Sequence, residues 1–186
     1  MVVNFRNLNC EWVTDLKCMF KECTKLKTLR LSNIQTQYVQ CMSSMFCWCE
    51  SLTSIDISSL VTYNVTDMSC MFTGCTSLES IDLSRLDTHM VEDMSCMFSD
   101  CTNLRQIDLK NFDTSHANDL ACMFYNCTSI EELDFSKFSN SSDKGIIWAK
   151  NIFGGCSSLK SVKLPEDDAA ASIIQYQLSL AGYVTW

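Results

Sequence analysis

The sequence predicts a right-handed α/β solenoid, with about seven parallel strands along one side, short helices along the other and a helical cap at the C-terminal end. Two observations carry the prediction. A Met-Phe pair recurs every 26 residues at Met19-Phe20, Met45-Phe46, Met71-Phe72, Met97-Phe98 and Met123-Phe124, and a degenerate sixth, Ile152-Phe153, comes 29 residues later. An alternating apolar pair keeps the same period at Val3/Phe5, Leu29/Leu31, Ile55/Ile57, Ile81/Leu83, Ile107/Leu109 and Leu133/Phe135, and returns after the slip at Val162/Leu164. Units of this size cannot bury an apolar face alone, so they stack.

One unit, Val65–Ser84, stands for the others. Val65, Met68, Met71, Phe72, Cys75 and Leu78 are spaced three, three, one, three and three, which reads as one stripe of a helix. Ile81 and Leu83 alternate with Ser80, Asp82 and Ser84, as a half-buried strand does. Each coil therefore reads helix, turn, strand. A further apolar column follows each strand at Leu8, Ile34, Leu60, Leu86, Phe112 and Phe138. Asp15, Asp67, Asp93 and Asp119 share the expected helix start, where a carboxylate meets the positive end of the helix dipole. A metal or acid site in that column is the weaker reading.

The repeats are expected over residues 1–164. The three-residue slip falls at Ser139–Trp148, as a bulge at one coil boundary or a protruding loop. Residues 165–186 are expected to cap the last coil. Ile173, Ile174, Leu178 and Ala181 share one face of a helix over Ala169–Ala181, Gly182 stops it, and Tyr183–Trp186 return as an edge strand. At the other end Val3 and Phe5 open a strand at once, which leaves the first coil uncapped and open to another chain.

Composition narrows the partners. Of 186 residues, 47% are hydrophobic and 19% charged, which fits a folded domain and not disorder or a membrane span. The 14 basic residues against 22 acids give a net charge of −8, which argues against a sequence-independent grip on nucleic acid or anionic lipid. A protein partner, basic in character, is electrostatically easier. The start, MVVNFRNLNCEWV, has neither the basic segment nor the apolar run of a signal peptide, so a cytoplasmic or virion-associated chain is expected from it. The thirteen cysteines are odd in number and fall at repeat positions, so mostly reduced thiols are expected.

The motif V-x-D-M-S-x-M-F-x-x-C-x-S-L-x-x-I-D-L-S, closest in the coils of Met71-Phe72, Met97-Phe98 and Met123-Phe124, resembles the leucine-rich-like repeats of bacterial surface proteins and mycoplasmal lipoproteins, related to the BspA-like group. It covers roughly residues 3–164. The resemblance implies a leucine-rich-repeat-like solenoid and a role in adhesion or protein binding, usually at an extracellular surface. It brings no catalytic residues.

Stacking turns sequence columns into ladders about 4.8 Å apart. The outward strand position reads Asn4, Arg30, Asp56, Asp82, Asp108, Asp134 and Lys163. Neighbouring aspartates at that spacing repel by about 0.9 kcal/mol in water, so something must offset them. One reading is a solvated ladder hydrogen-bonded to flanking serines. The sharper reading is a binding stripe for a cationic ligand, a basic peptide or calcium, formed by Asp56, Asp82, Asp108 and Asp134 with Arg30, Ser80 and Ser84.

Two cysteine columns follow the same logic. Cys23, Cys49, Cys75, Cys101, Cys127 and Cys156 sit between buried positions and read as packed thiols. Cys18, Cys70, Cys96 and Cys122, with Ser44 in the second coil, read as partly exposed. Zinc pairs of the C-x₂-C kind are missing, no phosphate loop, nucleophile elbow or H-E-x-x-H is present, and His89 and His116 read as turn residues. No enzyme, cofactor or metal is expected. The function expected is a non-enzymatic protein- or ligand-binding module; the alternative is a structural subunit that assembles through its uncapped first coil.

Overall fold

The alternating pairs fall where the period puts them. In the computed structural model, which describes residues 1–6, 10–139 and 149–183, the strands are β1 (Val2–Arg6), β2 (Thr28–Ser32), β3 (Ser54–Asp56), β4 (Ser80–Ile81), β5 (Gln106–Ile107), β6 (Glu132–Asp134) and β7 (Ser161–Lys163). All pairing is parallel and in repeat register: Arg30 lies beside Asn4 and Asp56, Ile81 beside Ile107, and Asp134 beside Lys163. The sheet is interrupted, with β1-β2-β3, β4-β5 and β6-β7 forming separate ladders. Leu8, most of the slip and the expected edge strand beyond Tyr183 lie outside the described residues.

The predicted helix layer is absent from the coils: among the described residues the one α-helix is α1 (Asp168–Leu180). The Met-Phe segments are chains of tight turns instead. Their apolar stripe is buried as expected, with Val65, Met68, Met71, Phe72, Cys75 and Leu78 all fully inaccessible. The backbone, however, bonds between coils. Met68, Cys70, Phe72 and Gly74 donate their N–H groups to the carbonyls of Asp93, Ser95, Met97 and Ser99, while Met71, Thr73 and Cys75 donate three residues back along the chain. A helix would direct every one of these N–H groups inward along itself.

Two left-handed residues per coil make the alternation possible. Cys18, Ser44, Cys70, Cys96, Cys122 and Asn151 have φ between 55° and 59°, and four residues on Glu22, Trp48, Gly74, Asp100, Asn126 and Gly155 have φ between 59° and 78°. Such a conformation costs a residue with a Cβ roughly 1–2 kcal/mol, and the inter-coil bond offsets it. Spacing explains why turns win. Phe20, Phe46, Phe72, Phe98 and Phe124 stack in one column with ring centroids 5.4–5.6 Å apart and planes within 15° of parallel. Packed helices need about 8–10 Å, so one helix per coil cannot keep pace with the sheet.

The aspartate column assigned to helix starts is a second parallel ladder, with bridges from Asp15 to Cys41, Asp67, Asp93 and Asp119 in turn. Each aspartate still accepts a nearby N–H, two residues on, from Lys17, Ser69, Ser95 or Ala121 at 2.7–2.9 Å. They cap turns, not helices.

A column of buried threonines was not anticipated. Thr36, Thr62, Thr88 and Thr114 are at most 2% exposed, and each hydroxyl both donates to and accepts from one peptide group of the next coil, at Val61, Asp87, Asp113 and Ser139. A side chain thus replaces a rung of backbone ladder at this corner.

Helix α1 closes the last coil. Asp167 caps it by accepting the Ala170 N–H at 2.7 Å, and Ala170, Ile174 and Leu178 are its buried face. Ala181, expected on that face, is the exposed C-cap, and Ala170 takes the buried place. The Gln177 amide oxygen accepts the Asn151 N–H, and the Tyr183 hydroxyl donates to the Cys156 carbonyl, so α1 satisfies groups that a further coil would have bonded.

Candidate functional site

The outward sheet face carries the predicted column. Asp56, Asp82, Asp108 and Asp134 are all exposed, as are Arg30, Ser80 and Ser84. Strand register places Arg30 beside Asp56 and Asp134 beside Lys163, and Ser80 lies beside Gln106. Across the two sheet interruptions the strands are not paired, so the stripe is built in segments.

Each carboxylate is tied down locally. Asp56 Oδ1 accepts the Ser58 N–H at 3.1 Å and its hydroxyl at 2.6 Å; Asp82 Oδ1 accepts the Ser84 N–H at 2.9 Å; Asp134 Oδ1 accepts the Ser136 N–H at 2.8 Å. Asp108 accepts the Lys110 N–H at 3.0 Å and pairs with its ammonium at 2.8 Å. The Lys163 ammonium reaches Asp134 at 3.2 Å. These bonds hold all four carboxyls below the ordinary aspartate range: the Ser58, Ser84, Lys110 and Ser136 side chains act first, then the same residues' N–H groups. Stacked charge is therefore kept ionised by donors two residues on.

Lys110 and Arg85 were missed as members of the face. Arg85 and Lys110 both act on Asp82, and Arg85 closes a hollow with Ile55, Asp56, Ile57, Ser58 and Asp82 where β3 and β4 are unpaired. A second hollow, at the β5–β6 interruption, is lined by Arg105, Gln106, Ile107, Ser129, Glu131 and Glu132. The D-x-S and D-x-K spacing was readable in the sequence as a turn signature; the interruptions, which depend on how strands splay, were not.

The packed thiols behave as a ladder of their own. Cys49, Cys75, Cys101, Cys127 and Cys156 each donate S–H to the carbonyl of a phenylalanine one coil back, Phe20, Phe46, Phe72, Phe98 and Phe124, at 3.0–3.3 Å. Burial pushes the Cys49 thiol up to about 12 and that of Cys156 up to about 11. Cys23, in the first coil, is half-buried. His89 pairs with Asp87 and His116 contacts Ser115, so neither histidine is bonded to a thiol. Among the described residues no group of three or more His, Cys, Asp or Glu side chains is arranged to hold a metal ion, and no helix is long and apolar enough to cross a membrane.

These features define a parallel-strand β-solenoid of about six turns, closed by one helix and presenting a charged sheet face. Residues 2–82 and 49–163 match the family described as "Mycoplasma protein of unknown function, DUF285", and the chain belongs to that family. The match bears out the resemblance to BspA-like leucine-rich-like repeats read from the Met-Phe motif. Among solved structures the chain is similar to the leucine-rich repeat protein of T. pallidum, with 13% identity, 98% of this chain and 83% of that chain covered, and a TM-score of 0.48. No curated protein matches.

Proposed function

We propose that the protein is a non-enzymatic binding module whose sheet face docks a basic segment of a protein partner, in the manner of an adhesion repeat. The observation that supports this reading is the line of Asp56, Asp82, Asp108 and Asp134, exposed and held ionised. A rigid stack of bonded coils loses little conformational entropy when it docks, and a stripe of carboxylates at regular spacing attracts a cation of matching extent. The hollow beside Asp56, Asp82 and Arg85 gives the stripe relief for a side chain to enter. Asp56 and Asp82 have no lysine bonded to them, so the centre of attraction falls there and not at Asp108 or Asp134. Titrating a labelled lysine- and arginine-rich peptide by fluorescence anisotropy tests this. Binding should weaken at least tenfold in Asp56→Asn/Asp82→Asn and fall with added salt; equal affinity for both proteins removes the proposal.

A second reading, assembly through the first coil, is favoured by the exposure there of Val2 (65%) and Trp12 (78%), whose ring stacks on Tyr38. Molar mass by light scattering across a hundredfold concentration range decides it. A concentration-independent monomer rejects assembly.

A further inference from the structure

The packed thiol ladder leaves a second run of sulfur unused. Cys70, Cys96 and Cys122 hold equivalent places in three consecutive coils, with φ of 56°, 55° and 57°. Their N–H groups donate to Ser95, Ala121 and Lys150 of the coil beyond at 2.8, 2.8 and 2.9 Å. Equal backbone geometry at equal spacing sends the three side chains out in parallel. The Cys96 thiol hydrogen-bonds with both Cys70 and Cys122, so the sulfurs touch. All three residues are half-buried, within reach of a small reagent, whereas Cys75, Cys101 and Cys127 are sealed in the core. Ser44 fills the coil before and separates Cys18 from the run.

We propose that Cys70 and Cys96 form a reactive dithiol that reduces a hydroperoxide and closes to a disulfide across two coils. The Cys70 thiolate attacks the terminal peroxide oxygen, the O–O bond breaks, and the departing alkoxide or hydroxide takes up a proton. Cys70 is left as a sulfenic acid. The Cys96 sulfur then displaces hydroxide from that sulfur, and the Cys96 proton leaves with it as water. Two thiols and one hydroperoxide thus give one disulfide, one water and one alcohol, or a second water when the oxidant is hydrogen peroxide.

Geometry and electronics agree on the roles. Bridged cysteines have Cα atoms roughly 4.4–6.8 Å apart, and coils stacked at about 4.8 Å fall inside that window. The Cys96 S–H bond to Cys70 brings the Cys70 thiol down to about 6, with burial opposing and Thr73 adding a second bond. The same bond, with burial, pushes Cys96 up. Cys70 is therefore the nucleophile and Cys96 the resolving thiol. Cys122 stands next in line to exchange with the new disulfide.

The test is to treat the full chain at pH 7 with one equivalent of hydrogen peroxide, block the remaining thiols by alkylation and digest with trypsin. Cleavage after Arg85 and Arg105 puts the two cysteines in separate peptides. The wild type should yield a dithiothreitol-sensitive cross-link mapped to Cys70 and Cys96, more abundant than any other pairing by at least tenfold. In Cys96→Ser the cross-link should vanish and Cys70 should be captured by dimedone. Ser44 already occupies the equivalent place with φ of 57°, so this variant keeps the coil, which circular dichroism verifies. Cys70 and Cys96 both recovered alkylated, or the same cross-link persisting in Cys96→Ser, overturns the proposal.

Discussion

Replacing Thr88 by valine keeps the shape of the side chain and deletes one hydroxyl. That hydroxyl is 1% exposed; it donates to the Asp113 carbonyl at 3.0 Å and accepts the Asp113 N–H at 2.8 Å. Two hydrogen bonds are worth about 1 kcal/mol each in net terms, and stranding partly buried peptide partners adds a desolvation cost of about 1 kcal/mol or more. The expected loss is about 2–4 kcal/mol. Thr88→Ser keeps both bonds and loses one methyl group, a loss of about 1 kcal/mol. Urea unfolding followed by circular dichroism should therefore rank wild type above Thr88→Ser and Thr88→Ser above Thr88→Val, with unchanged slope. A Thr88→Val protein as stable as the wild type would refute the reasoning that this column substitutes for a backbone ladder.

Other perturbations test other columns. Phe72→Ala removes a fully buried ring stacked on both sides and should cost about 4 kcal/mol in the same assay. Gly74 has φ of 72° and lies under the Trp48 ring, which an added Cβ would strike. Gly74→Ala should therefore cost about 2 kcal/mol, and roughly half that in a Trp48→Ala background, a coupling read from a double-mutant cycle. Asp167→Ala deletes the α1 cap and should cost about 1 kcal/mol, with faster amide exchange in the first turn of the helix. The four ladder aspartates have folded-state values below their unfolded ones, so they add stability above about pH 4 that is lost as pH falls through the lowered values. Asp119 runs the other way: burial raises it, and folding is favoured as it takes up a proton. Asp119→Asn keeps the oxygen that accepts the Ala121 N–H and should raise the melting temperature at pH 7, measured by calorimetry.

Which residues share a column was legible from the sequence; what the backbone does between columns was not. A gap of three between Val65, Met68 and Met71 suits a helix, yet it suits consecutive tight turns equally well. Only the stacking distance, set by Phe46, Phe72 and Phe98, separates the two. The left-handed places are occupied mostly by Cys, Ser, Glu, Trp, Asp and Asn, and glycine marks only a few of them, so the usual signal of a turn was muted. Thr88 was read as a helix cap because one coil alone cannot reveal that its hydroxyl spans two. For the aspartate ladder the positions were readable and the repulsion foreseen. The offset came from the residue two places on, Ser58, Ser84, Lys110 or Ser136, which the strand pattern treats only as an outward neighbour.

The phenylalanine column ends where Phe135 turns edge-on between Phe124 and Phe153, beside the 29-residue coil. Upstream of that point every coil is interchangeable with the next in shape, so duplicating or excising 26 residues leaves all contacts matched, while changing the count by one rotates every later side chain out of its column. Growth and shortening of such a chain are thus quantised, and the turned ring marks the one boundary that a copied coil cannot cross.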